Sequence, residues 1–112
     1  MRYLDKMADS NDELSVEDFY RSFPAGTTLY YAGAPAESLY LIREGRVRLW
    51  KRSRGVERTT GVFDAGDLVG EEALVEGAHR TATAEAIEPV TALVIESDTF
   101  RALTRKRPAL AD

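Results

Sequence analysis

A series of short β-type segments, separated by glycines, runs from residue 27 to residue 95 and constrains the fold more than any other feature of the sequence. The pattern predicts strands joined by turns. Short strands at this regular spacing predict a mainly β fold, a jelly-roll-like β-barrel. The predicted strands are residues 27–31, 38–43, 46–51, 56–63, 81–86 and 90–95, with turns at Gly33, Gly45, Gly55, Gly66 and Gly77.

Helix signals precede this β region. Ser15 is placed as an N-cap with Asp18 three residues later, and Pro24 would end the helix. Apolar residues recur at helical spacing in this segment, which predicts one apolar face formed by Val16, Phe19, Tyr20 and Phe23. Residues 1–12 are polar and irregular, so we expect a loosely ordered N-terminal segment followed by one domain over residues 13–112.

A second helix is predicted after the β region. Ser97 or Asp98 is placed to cap it. Phe100 and Leu103 would form its apolar side, and Pro108 would end it. The sequence therefore predicts a mainly β domain with flanking helices.

Composition limits the possible functions. A chain of 112 residues is the size of one domain, and its net charge of −4 argues against direct nucleic-acid binding, which normally uses a basic face. Cysteine is absent, which excludes disulfides and thiolate metal sites. No apolar run approaches the roughly 20 residues of a membrane span, so we expect a cytoplasmic protein without membrane contact.

Catalytic motifs are also missing from the sequence. His79 is the only histidine, so neither a cluster of imidazoles for a metal nor a histidine base beside a nucleophile elbow is present. No Gly-x-x-x-x-Gly-Lys loop for nucleotide hydrolysis occurs. Glu71 and Glu72 could suggest acid–base chemistry, but neighbours in one turn point apart. We therefore expect a protein that is not an enzyme and holds no metal.

The strongest functional signal lies in residues 69–83. Gly70 precedes a short acidic turn, and a glycine there lets backbone N–H groups approach an anion closely. Arg80 could donate two parallel charge-assisted hydrogen bonds to phosphate oxygens. Glu71 would repel phosphate but could accept a hydrogen bond from a neighbouring sugar hydroxyl. The pattern predicts a sugar-phosphate site, although the residue types alone would also suit a solvated surface turn.

This segment resembles the phosphate-binding cassette of the cyclic nucleotide-binding domain family. The family pattern is Gly-Glu, any residue, Ala or Ser, Leu, a variable turn with Gly, then Arg, a small residue, Ala and often Thr. The residues that match it in order are Gly70, Glu71, Ala73, Leu74, Gly77, Arg80, Thr81, Ala82 and Thr83. Residues 23–47 resemble the first hairpins of the family, and residues 65–71 resemble its approach to the ligand. The likeness extends over about residues 23–107.

The resemblance implies an eight-stranded, cupin-like barrel with flanking helices, as in the sensor domains of catabolite activator proteins, and a site for cyclic AMP or cyclic GMP. Glu71 would accept the ribose 2′-hydroxyl, and Arg80 would bind the exocyclic phosphate. Thr81 carries a hydroxyl that in the resembled proteins can touch phosphate and can favour guanine, so both nucleotides stay open. Backbone beside the ligand would come from Gly70, Glu72 and Ala73.

The alternating directions of side chains along a strand support part of this site independently of the family. Arg80, Ala82 and Ala84 would share one strand face, so small methyl groups would line the cavity that the guanidinium enters. No cofactor is expected besides the nucleotide ligand.

Two departures from the family pattern bear on function. Glu72 replaces a residue that is usually apolar and brings a second negative charge close to the phosphate site. The helix that begins near Ser97 is followed by few residues, whereas family members generally continue into a longer helix that covers the base. We therefore expect residues 13–112 to lack this lid.

Three functional hypotheses follow. The first is a regulatory module that binds a cyclic nucleotide and transmits a conformational change to a partner, either a second copy or an effector protein. The second is the same fold without nucleotide binding, serving as an interaction or dimerisation scaffold. The third is the sensor part of a transcription regulator, which would not itself read DNA because no helix-turn-helix follows in this sequence.

Overall fold

A computed structural model describes residues 19–106 of the chain. Within that range, eight strands form two four-stranded antiparallel sheets, with the strand orders β1-β8-β3-β6 and β2-β7-β4-β5. The elements are β1 (Tyr20–Phe23), β2 (Thr28–Tyr30), β3 (Ser38–Glu44), β4 (Val47–Ser53), β5 (Val56–Phe63), β6 (Leu68–Val69), a 3-10 helix (Glu71–Leu74), β7 (Thr83–Ala86), β8 (Val90–Glu96) and α1 (Ser97–Lys106).

The predicted mainly β, jelly-roll-like fold is confirmed. The strands nevertheless remain in two separate sheets and do not close into a continuous barrel. In the described part of the chain, β1 and β6 are the edges of one sheet and β2 and β5 are the edges of the other. No helix in residues 19–106 is long and apolar enough to cross a membrane.

The predicted first helix is wrong over its last residues. Tyr20–Phe23 form β1 and pair with β8, from Tyr20 opposite Leu93 to Phe23 opposite Val90. Two apolar residues three positions apart fit a helical turn as well as a short strand, so periodicity could not distinguish them. The hydrogen-bond ladder to β8 decides in favour of the strand. Ser15, the predicted N-cap, lies outside the described residues.

Most other predicted elements are confirmed, with shifted ends. The strand predicted to begin at Thr81 begins at Thr83, because residues 81 and 82 form a bend. The two-residue strand Leu68–Val69 was not predicted, since it is too short to show a period. The second helix is confirmed and begins at Ser97, one of the two residues predicted to cap it. Pro108, its predicted end, lies outside the described residues.

The hydrophobic core lies between the two sheets. Its buried side chains come from β2, β3, β4, β6, β7 and β8. Ile42 of β3 and Val47 of β4 are essentially inaccessible to solvent, as are the two alanines of β7. Val69 of β6 is equally buried and immediately precedes Gly70, so the core fixes the position from which the candidate site begins.

Two valine truncations test this position of the core. Val47 is 0% exposed, whereas Val62 on the neighbouring strand β5 is 50% exposed. We expect Val47→Ala to lower the free energy of unfolding by about 2–3 kcal/mol, through lost apolar burial and the cavity left behind. Val62→Ala, the matched control, should cost less than about 1 kcal/mol. Urea unfolding followed by circular dichroism measures both, and equal losses would contradict the assignment of the core.

Candidate anion-binding site

Gly70 begins the site by turning the chain from β6 into the 3-10 helix. It has φ 87° and ψ 29°, a left-handed conformation that glycine adopts without steric cost. Its carbonyl accepts a hydrogen bond from the N–H of Ala73 at 3.1 Å. A Cβ on Gly70 would lie 2.7 Å from Nη1 of Arg80 and 3.2 Å from the carbonyl oxygen of Ser38. Glycine is therefore required both by the backbone conformation and by the close approach of the guanidinium.

The main chain of Arg80 is fixed by the loop that follows β2. Its N–H donates to the carbonyl of Ala34 at 2.7 Å, and its carbonyl accepts from the N–H of Gly33 at 2.8 Å. A β-bridge between Pro35 and His79 extends this pairing by one residue. The Arg80 side chain thus starts from a backbone that is held on both its N–H and its carbonyl.

The Arg80 guanidinium points into the protein and not into bulk water. The residue is 4% exposed. Nη2 donates to the carbonyl of Ser38 at 2.6 Å, and Nη1 donates to the carbonyl of Gly70 at 3.1 Å. The central carbon lies 3.9 Å from the ring centroid of Tyr30, close enough for a cation–π contact. Two carbonyls and one ring therefore hold the cation in place.

Glu72 supplies the negative charge next to this cation. Its Oε2 lies 3.4 Å from Nη1 of Arg80, and its side chain is 25% exposed, against 2% for that of Arg80. The carboxylate consequently turns toward the guanidinium and not fully to solvent. The expectation that Glu72 brings a second charge close to the site thus agrees with its position.

One donor of Arg80 has no acceptor. Nε is buried and makes no hydrogen bond, although the two terminal nitrogens of the guanidinium both do. A buried donor without an acceptor is costly and is characteristic of a place where an anion or water binds. The residues present therefore fit an anion at Arg80.

The Tyr30 ring that contacts the guanidinium is neutral, and burial raises its pKa further above neutral pH. Desolvation raises the pKa of Tyr30 well above its ordinary value, the negative charge of Glu72 raises it further, and the positive charge of Arg80 lowers it. Burial likewise raises the pKa of Tyr40, whose ring lies 5.9 Å from that of Tyr30. Near neutral pH, Arg80 therefore packs on an uncharged phenol.

The remaining predicted site residues are distributed around this cation. Glu71 and Thr81 are exposed, so their polar groups face solvent. Ala82 is buried, with 3% of its surface exposed. Arg80, Ala82 and Ala84 are all buried, but residues 81 and 82 form a bend before β7, and Thr83 is buried as well. The Thr83 hydroxyl instead accepts a hydrogen bond from the N–H of Ala32 at 3.0 Å.

Ala73 connects the site to the C-terminal helix. It is completely buried in a small second cluster with Ala36 and Leu39, and Phe100 of α1 packs against this cluster. Nη1 of Arg101 also approaches the Ala73 carbonyl, at 3.5 Å. The methyl group of Ala73 is thus part of the cluster against which Phe100 of α1 packs, so only its backbone could border a ligand.

Sequence analysis missed two contributors to the site. Ser38 acts through its backbone carbonyl, which any residue type could supply, so no sequence signal could have identified it. Tyr30 acts through its ring, and the predicted strand over residues 27–31 gave no reason to pair it with an arginine fifty residues away. His79 is exposed, and no three histidine, aspartate or glutamate side chains in residues 19–106 cluster as metal ligands.

A cleft of about 450 Å³ opens beside the site and not over Arg80 itself. It lies between the turn 77–79 and the start of α1. Arg80 is not among its lining residues, which are Pro35, Ala36, Glu37, Gly77, Ala78, His79, Glu96, Ser97, Asp98 and Arg101. The guanidinium is therefore covered in this conformation, with Glu72 as its charged neighbour.

Comparison with known proteins places these features in a family. The family model for the cyclic nucleotide-binding domain matches residues 20–107. The chain is 33% identical over 107 residues to the cyclic AMP receptor protein of Thermus thermophilus. This match covers 94% of this chain and 50% of that protein. It is 38% identical over 86 residues to the fumarate and nitrate reduction regulatory protein of Escherichia coli K12, covering 76% and 34% respectively.

A solved structure shows the same fold. The N-terminal domain of a transcriptional regulator from Streptomyces coelicolor A3(2) matches with a TM-score of 0.75 and 31% identity, over 82% of this chain and 65% of that one. The chain spans half or less of the length of the two curated relatives above.

Alanine substitutions at two glycines test the close approach of Gly70 to Arg80. Gly77 has φ 79°, close to the 87° of Gly70, but a Cβ at Gly77 would meet nothing within 4 Å. We expect Gly77→Ala to cost about 1–2 kcal/mol of unfolding free energy from backbone strain alone. Gly70→Ala should cost about 1–3 kcal/mol more, because the buried guanidinium must shift. Chemical unfolding measures both variants, and equal costs would show that Arg80 does not lie against Gly70.

Proposed function

This chain belongs to the cyclic nucleotide-binding domain family, and we propose that it binds cyclic AMP or cyclic GMP and transmits the binding event to a partner. A ligand-sensing regulatory role is common to this domain and to the regulators that it resembles. The observation that carries the proposal is the buried Arg80 guanidinium with an unpaired Nε beneath the Gly70 turn. That arrangement has the charge, the free donor and the local rigidity that a phosphate diester requires.

In this proposal, the exocyclic phosphate pairs with Arg80 and the ribose 2′-hydroxyl donates to Glu71. Glu71 is exposed at the start of the 3-10 helix and is available to accept that bond. The backbone of Gly70, Glu72 and Ala73 would border the ligand. The exposed Thr81 hydroxyl is available to either nucleotide, so it does not select between the bases.

The signal would leave the site through Ala73. Binding that moves the 3-10 helix also moves a methyl group packed with Phe100 and a carbonyl approached by Arg101, both on α1. A ligand shifts such an equilibrium only by its difference in affinity for the two positions of the helix. We propose that α1, and whatever segment or partner it contacts in the whole protein, receives the signal. Catalysis is not part of this role.

A second candidate is a scaffold of the same fold that binds no nucleotide. Its support is specific: the guanidinium already has Glu72 next to it, and the 450 Å³ cleft is not lined by Arg80. Titration with both cyclic nucleotides separates the two candidates. The absence of heat and of any thermal shift at millimolar ligand would favour the scaffold.

Removal of the cation tests the proposed site. We expect Arg80→Ala to weaken cyclic nucleotide binding by roughly 100-fold or more, because two charge-assisted hydrogen bonds are worth about 1.5–3 kcal/mol each. Arg58→Ala removes the same charge from an exposed position on β5 and should bind like the parent protein. Isothermal titration calorimetry measures the affinities. Equal affinity of Arg80→Ala and the parent would contradict the assignment.

Arg80 is buried, so its variant could bind poorly because it folds poorly. Glu71→Gln avoids this difficulty, since Glu71 is exposed. Loss of its charge should weaken binding by roughly 5–30-fold, the difference between a charged and a neutral hydrogen bond, with unchanged thermal unfolding. Unchanged affinity in this variant would show that Glu71 does not bind the ligand. The role of Arg80 is tested separately, by Arg80→Ala.

A further inference from the structure

The charged group next to the Arg80 guanidinium is the carboxylate of Glu72, 3.4 Å away. We infer that Glu72 is a built-in competitor of the anionic ligand: its carboxylate occupies the position next to the guanidinium that a phosphate needs, and it must leave for the phosphate to bind. The inference rests on the proposed function and names the residue that sets the affinity of that site.

The three acceptors of Arg80 differ in their ability to move. The carbonyls of Ser38 and Gly70 belong to the backbone of β3 and of the glycine turn. Glu72 approaches through a flexible side chain that is one quarter exposed. Only the carboxylate can rotate away without moving a strand or a turn, so it is the acceptor that a ligand would displace.

The carboxylate also makes the longest of the three contacts. Its oxygen lies 3.4 Å from Nη1, compared with 3.1 Å and 2.6 Å for the two carbonyls, and Nη1 already donates to Gly70. Nε remains without an acceptor even with Glu72 present. A phosphate brings two exocyclic oxygens to the guanidinium, so it could pair with a donor that the Glu72 carboxylate leaves without an acceptor, which would favour exchange of one anion for the other.

Charge makes the exchange costly elsewhere. In the ligand-free fold, Glu72 stabilises a cation that is almost completely desolvated. In the bound state, the phosphate takes over that task, and the displaced carboxylate remains close to a second negative charge. Glu72 therefore stabilises the free protein and destabilises the complex, and both effects lower affinity.

Neutralising this side chain tests the inference. Glu72→Gln keeps the size of the side chain and removes its charge, and it should bind cyclic AMP or cyclic GMP about 10-fold more tightly than the parent by calorimetry at fixed salt. Without ligand, the same variant should unfold at a lower temperature than the parent, because Arg80 has lost its charged partner. Saturating nucleotide should therefore raise its unfolding temperature by more than it raises that of the parent. Neither the affinity nor the unfolding temperature requires catalysis or a partner protein to be measured.

The matched control is Glu76→Gln, which removes an identical charge from an exposed position in the turn that follows the 3-10 helix. We expect its affinity to stay within about twofold of the parent, because exposed charges are strongly screened. An equal gain in both variants would show a general charge effect and overturn the inference. Unchanged or weaker binding by Glu72→Gln would also overturn it, while leaving the proposed function intact.

Two further outcomes separate the inference from the proposed function. Binding by Glu72→Gln but not by the parent at millimolar ligand would support the inference, with Glu72 strong enough to block the site, and would contradict nucleotide binding by the parent. No binding by either variant at millimolar cyclic nucleotide would overturn the proposed function and the inference together.

Discussion

Arg80 is a cation with 4% of its surface exposed, and the groups around it compensate for the loss of its hydration. Removing a charge from water costs several kcal/mol unless nearby groups compensate. Here the compensation comes from the ring of Tyr30 on β2, the Ser38 carbonyl at the start of β3, the Gly70 carbonyl and the Glu72 carboxylate. One side chain thus contacts both sheets and the glycine turn.

The same arrangement explains how a signal could travel from the site. The 3-10 helix carries Glu72 on the side of the guanidinium and Ala73 in the cluster that contacts Phe100 of α1. Exchange of the Glu72 carboxylate for a ligand phosphate would release the contact of this helix with Arg80, while Ala73 is the residue through which the helix packs against the cluster. Affinity and output would then depend on one short helix, which is the mechanistic core of the proposed function.

The sequence predicted the fold better than it predicted the contacts around Arg80. Glycine turns and the cassette pattern were sufficient for the jelly-roll-like fold and for the burial of Ala82, because these depend on local residue types. Tyr20–Phe23 were assigned to a helix because their apolar spacing also fits a helical turn. Pairing with β8 is a long-range contact that this spacing does not reveal. The Ser38 carbonyl and the inward turn of Glu72 are tertiary contacts between chain segments, and no spacing along the chain encodes them.

The most direct measurement of the central claim follows the Nε–H of Arg80 itself. In ¹⁵N-labelled protein, this signal can be assigned by its disappearance in Arg80→Lys and observed during titration with cyclic AMP and cyclic GMP. Because Nε is buried and has no acceptor within the protein, its resonance should shift and its exchange with water should slow as the phosphate binds. A nucleotide that binds while this resonance remains unchanged would contradict the assignment of Arg80 as the phosphate ligand.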